Sequence, residues 1–105
     1  MAPEAIMGKP YGAAADMWSL GVLLFTMLCG QLPFRGSSSL HTLAAVCLGK
    51  ADFGQQPWHS ISLQAKRLVY RMLSLDPLKR PTAAQVAENQ WVQGKVMVAQ
   101  GMTEC

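Results

Sequence analysis

Asp16-Met17-Trp18-Ser19-Leu20-Gly21-Val22-Leu23-Leu24-Phe25-Thr26-Met27-Leu28-Cys29, followed at once by Gly30, decides the fold of this chain. Trp18, Leu20, Val22, Leu23, Leu24, Phe25, Met27 and Leu28 fall on every side of a helix drawn through it. A helix that is apolar all round has to be enclosed by protein. It is expected to start between Ala13 and Asp16 and to stop at Gly30. No charged side chain occurs between residues 17 and 34. The apolar run still ends near Cys29, after about thirteen residues, too few to span a bilayer. Glu4 and Asp16 precede the run and no small-x-small pattern follows it, so a secretory signal does not fit either. A buried core helix remains, and no other stretch of the chain is long enough to enclose it alone.

Composition points the same way. A chain of 105 residues is one small domain or a piece of a larger one. Half of it is hydrophobic and 14% is charged, against a usual charged share of about 25%, a balance suited to extensive burial. The net charge of +3 is mildly basic, with Lys66, Arg67, Arg71, Lys79 and Arg80 supplying five of nine cations. No aromatic residues interleave with them as a base-stacking platform needs, so no nucleic-acid partner is expected. A solvated helix face plus one structural Arg accounts for the cluster. Cys29, Cys47 and Cys105 are odd in number and form no C-x-x-C pair. That excludes a disulfide framework and a zinc site, predicts no disulfide partner, and fits a reducing, cytoplasmic setting.

Outward from the central helix, Pro3 suits the first turn of a short helix. Gly8, Pro10 and Gly12 make a loop. Downstream, Pro33-Phe34 places an aromatic anchor beside a rigid turn. Ser38 or Ser39 caps a helix over Leu40 to Leu48, closed by Gly49. Its residues Leu40, Leu43, Ala44 and Cys47 have the i, i+3, i+4, i+7 spacing of an inward stripe. Ala51 to Ile61 reads as an extended loop with Phe53, Trp58 and Ile61 as plugs. Ser62 caps the clearest amphipathic helix, with Ala65, Leu68, Val69, Met72 and Leu73 inward, and Asp76-Pro77 ends it. Thr82 caps a last helix through about Val92, with Val86, Trp91 and Val92 inward. The tail from residue 93 to 105 has no strong period and is expected to fray. No strand is convincing. The fold class is all-α.

Three stretches recur in a telling order: Ala2-Pro3-Glu4, then Asp16, Trp18 and Gly21 within the apolar helix, then Asp76-Pro77 with Arg80 ahead of a Thr82-capped helix. Between them stand Gly30-x-x-Pro33-Phe34, Trp58-x-x-Ile61-Ser62 and Ala65-Lys66. As an ordered set this resembles the later, helical part of a serine/threonine protein-kinase C-lobe, truncated, nearest the calcium/calmodulin-dependent and calcium-dependent group. The resemblance covers residues 1–92 as a partial kinase domain. It implies that Glu4 and Arg80 form a buried ion pair pinning the Ala-Pro-Glu segment to the helical core. It implies that Asp16 accepts hydrogen bonds from the backbone of a catalytic loop that the sequence does not carry. Trp18 is expected to pack beneath the Ala-Pro-Glu segment, and Gly21 to allow close helix approach.

Asp52-Phe53-Gly54 spells the metal-binding triplet of kinases in the wrong place, since that motif belongs upstream of Ala-Pro-Glu. Phosphoryl transfer also needs a glycine-rich cover, a strand Lys, a metal-binding Asp and Asn, and a catalytic Asp. No position here matches them, so no catalytic, cofactor-binding or metal-ligating residue is assigned. ATP and Mg are implied for a parent kinase only. His41 and His59 are isolated. Thr26 stands where some relatives carry a Glu that reads a substrate arginine, and Glu88-Asn89-Gln90-Trp91 departs from the usual His-Pro-Trp. The expected function is a fragment of a serine/threonine kinase that holds scaffold and substrate-docking surface and is inactive alone. Its expected partner is a protein substrate or the missing remainder of a kinase domain. The competing expectation is a non-catalytic helical interaction module that docks through the Leu40–Leu48 region.

Overall fold

The computed structural model describes residues 1–54 and 56–94, and its regular elements are all helical. In chain order they are α1 (Pro3–Ile6), α2 (Ala13–Cys29), α3 (Ser39–Leu48), a 3₁₀ turn (Gln56–Ser60), α4 (Leu63–Met72), a second 3₁₀ turn (Pro77–Lys79) and α5 (Ala83–Glu88). The frayed tail expected from residue 93 lies, from residue 95 onward, outside the described residues.

The local chemistry explains the boundaries. Pro3 opens α1, where a missing N–H costs nothing. Gly30 ends α2 in the left-handed conformation (φ +81°) and donates its N–H to the Thr26 carbonyl at 2.7 Å. Ser38 caps α3, Ser62 caps α4, and Thr82 with Gln85 forms a reciprocal capping box on α5.

α2 is the axis of the molecule, and its most extensive packing partner is α4. The crossing is close at Gly21, where a Cβ would lie 2.8 Å from Met72 Cβ. The Ala65, Leu68, Val69, Met72 and Leu73 stripe of α4 is buried as its spacing predicts. Behind α2 an aromatic group gathers: Phe25 lies 4.8 Å from Trp58 and 5.3 Å from Phe53, ring centre to ring centre. Ile61 packs half-buried against the same core. A second cluster, of Met17, Leu68 and Met72, is closed by Val86, Trp91 and Val92.

Four expectations need correction. The stripe assigned to α3 does not face inward: Leu40, Leu43 and Ala44 are exposed and Cys47 is only half-buried. Val46, helped by Ala45, is the side that meets the core, because α3 lies against α1 through it. Gly49 lets the end of that face approach Leu75, since a Cβ there would come within 2.4 Å of the Leu75 side chain. The Ala51–Ile61 loop is not wholly extended, as it winds into the Gln56–Ser60 turn. α4 stops at Met72 with Leu73 as its cap, before Asp76; Asp76 caps the following 3₁₀ turn instead. The last helix does not run unbroken to Val92. Asn89 is extended (ψ 133°) and its Oδ1 accepts from the Trp91 N–H at 2.9 Å, starting a new turn over residues 90–94.

Candidate functional site

Glu4 and Arg80, 76 positions apart in sequence, meet in the interior. Arg80 Nη1 donates to Glu4 Oε2 at 2.6 Å and Nη2 to Oε1 at 2.8 Å, a two-pronged guanidinium–carboxylate contact. Both residues are buried, at 7% and 5% exposure. Arg80 also donates from Nε to the Ser74 carbonyl at 2.9 Å, from Nη1 to Ala14 at 3.0 Å and from Nη2 to Leu75 at 3.4 Å. One side chain thereby ties α1, the start of α2 and the α4–α5 connection together. The hydrogen bonds from Arg80 hold the Glu4 carboxyl below its ordinary value, outweighing the opposing effect of burial. The pairing of Glu4 with Arg80 was implied by the kinase resemblance. The carbonyls of Ala14, Ser74 and Leu75 were not, because a backbone acceptor leaves no residue-type signal.

The other singled-out residues fall in different surroundings. Trp18 is buried in the same core cluster as Ala2 and stacks on Phe34 with ring centres 5.6 Å apart. Asp16 sits in the first turn of α2, exposed, and its carboxylate has no hydrogen-bond or ion-pair partner among the described residues. It opens onto a hollow of about 440 Å³ shared with Leu20, Leu78 and Arg80. Asp52 is engaged otherwise: Oδ1 accepts from the Gly54 N–H at 3.1 Å, and Oδ2 lies 3.5 Å from Arg35. Its carboxylate closes a turn and meets a cation. Among the described residues no three His, Cys, Asp or Glu side chains gather as a metal site would require.

The protein kinase domain family matches residues 1–92. The chain belongs to that family. Within it, the chain is 47% identical over 93 residues to calcium-dependent protein kinase 17 of Arabidopsis thaliana, and 45% identical over 92 residues to calcium-dependent protein kinase 9 of Oryza sativa subsp. japonica. These alignments take in 89% and 88% of this chain but 17% and 16% of the two relatives. Among solved structures, the twitchin kinase region of C. elegans superposes with a TM-score of 0.84 at 36% identity, covering 87% of this chain and 16% of the other. The chain therefore spans about one sixth of the length of the kinases it matches, as the 17% coverage shows. The kinase resemblance read from the ordered motifs, its calcium-dependent branch and the all-α kinase-like fold stand on these findings. No helix among the described residues is long and apolar enough to cross a membrane, and Cys29 and Cys47 are free thiols.

The ATP and Mg that the family implies do not fit the residues present. The one Asp-Phe-Gly triplet is spent on a turn and an ion pair, and no acidic cluster among the described residues offers metal ligands.

Proposed function

We propose that this segment is the substrate-side scaffold of a serine/threonine kinase in the calcium-dependent group, and that phosphate transfer from Mg-ATP to protein substrates belongs to a longer kinase. Residues 1–92 constitute the domain part. Glu4, Arg80, Asp16 and Trp18 act in it as structural and positioning residues. The observation that carries the reading is the buried two-pronged contact of Glu4 with Arg80, which fixes the Ala-Pro-Glu segment on the α2–α4 core. Exposed, partnerless Asp16 supports it too, as a carboxylate ready to take backbone N–H donors from a neighbouring segment. The free, buried thiol of Cys29 favours a reducing compartment, and we place the protein in the cytoplasm.

The test is a graft. The homologous stretch of calcium-dependent protein kinase 17 is replaced by residues 1–92 of this chain, and transfer of labelled phosphate to a Ser-containing peptide is measured. The chimera is expected to phosphorylate the peptide, and the unfused 105-residue chain is not. A well-folded chimera without activity, or turnover by the unfused chain, overturns the reading.

A further inference from the structure

A cavity of about 550 Å³ opens between the end of α3 and the end of α4, a size within the range of about 300–1,000 Å³ typical of ligand sites. Its apolar wall is Phe53, Tyr70, Leu73 and Leu75, and Lys50 and Lys79 also line it. None of the lining residues belongs to α2 itself, although Phe53 of the wall packs on Phe25 of that helix.

Two features shape it for a ligand with both an apolar and an anionic part. The first is the wall. Phe53 is held by Phe25 and Trp58, with the Phe53–Trp58 ring centres 4.9 Å apart, while Tyr70 stands largely exposed 6.1 Å from Phe53. A rigid aromatic base with one accessible ring can receive an inserted side chain at little entropic cost. The second is charge. Lys50 and Lys79 are exposed and form no ion pair among the described residues. Of the acids nearby, Asp76 also lines the cavity, so two lysines stand there against one carboxylate. Asp52 faces Arg35 at 3.5 Å, and Asp76 Oδ1 accepts the Leu78 N–H at 3.0 Å.

We propose that this cavity is a docking site for an acidic segment of a partner protein, which inserts one large apolar or aromatic side chain beside Tyr70 and Phe53 and sets flanking carboxylates against Lys50 and Lys79. Charge of this kind selects the partner and speeds encounter, while the buried anchor holds it.

The experiment is a peptide-display selection on the immobilised 105-residue chain. The library has a central Phe, Trp or Leu flanked by Asp and Glu; the control library carries Lys and Arg flanks around the same anchors. Enrichment of the acidic library is expected. The double variant Lys50→Glu/Lys79→Glu should weaken the selected peptide about tenfold or more, with an unchanged circular-dichroism spectrum because both side chains are exposed. Tyr70→Ala, also at an exposed position, should weaken it as well. Absence of acidic enrichment overturns the proposal. So does undiminished binding to the charge-reversed variant, or equal binding of a peptide whose anchor is replaced by Ala.

Discussion

Arg80 shows how one residue is made indispensable. Its guanidinium has five N–H groups, and all of them find oxygens: two on Glu4 and three on the carbonyls of Ser74, Ala14 and Leu75. Arg80→Met leaves Glu4 buried without a countercharge, and about 3–5 kcal/mol of unfolding free energy should be lost in a urea titration. Arg80→Lys should recover little of it, because an ammonium cannot supply the planar fork. A change under about 1 kcal/mol on Arg80→Met would mean that the pair does not pin the segment. The same site sets a pH dependence. Glu4 has a folded-state value below its ordinary 4.5, so its ionised form adds stability at every pH above about 4.5. That contribution is lost as pH falls from there through the lowered folded value. Glu4→Gln should therefore flatten the acid limb of a stability-against-pH curve while leaving the neutral limb level. The pair itself was expected from the kinase resemblance, whose Ala-Pro-Glu and Arg80 motifs stand far apart in the chain. Its carbonyl cradle was invisible, being a product of where α2 and the α4–α5 connection happen to lie.

At the scale of elements, legibility tracked how many neighbours a helix has. α4 crosses α2 and carries charges on its far side, so hydrophobic spacing alone picked its buried face. α3 touches the body only along a narrow strip. Its larger residues, Leu40 and Leu43, therefore stay outside while Val46 goes in. Counting leucines fails where the contact is made by smaller groups beside a glycine. Asn89 misled for another reason: a residue that can cap a new turn looks, in a periodic pattern, like one more helical position. Gly21 allows a sharper test. Gly→Ala inside a helix ordinarily gains about 1 kcal/mol in propensity. Here the new Cβ would stand 2.8 Å from Met72 Cβ, an atom fixed to its backbone that cannot swing aside. Overpacking of that sort costs about 1–3 kcal/mol and should win. Gly21→Ala is expected to lower the melting temperature, whereas Gly12→Ala, with open space around it, should lower it less, by the preference of the α2 N-cap for Gly over Ala. A rise on Gly21→Ala would show that α2 and α4 are not held at that distance.

For the molecule as a whole, the sequence foretold a central helix that needs protein on all sides, and the structure shows which side lacks it. Gly21, Phe25 and Cys29 are covered, while Leu20, Leu23 and Met27 remain exposed, the last at 72%. Their i, i+3, i+7 spacing puts the three on one face. Which face this would be was not readable in advance, because an all-round apolar helix carries no asymmetry to read. Leaving one large apolar side chain in water forgoes about 1.5–3 kcal/mol, and a whole domain is stable by only about 5–15 kcal/mol. Three such residues in a row thus consume a large share of the margin, and they offer water a continuous greasy strip. The isolated chain is expected to bind an apolar dye strongly and to elute from a sizing column ahead of a monomer. Leu20→Glu, Leu23→Glu and Met27→Glu together remove the strip without touching the α2–α4 crossing at Gly21. They should abolish dye binding and bring elution to the monomer position. If the triple variant still associates, the exposed face of α2 is not where the chain is sticky, and the exposed α3 leucines become the surface to change next.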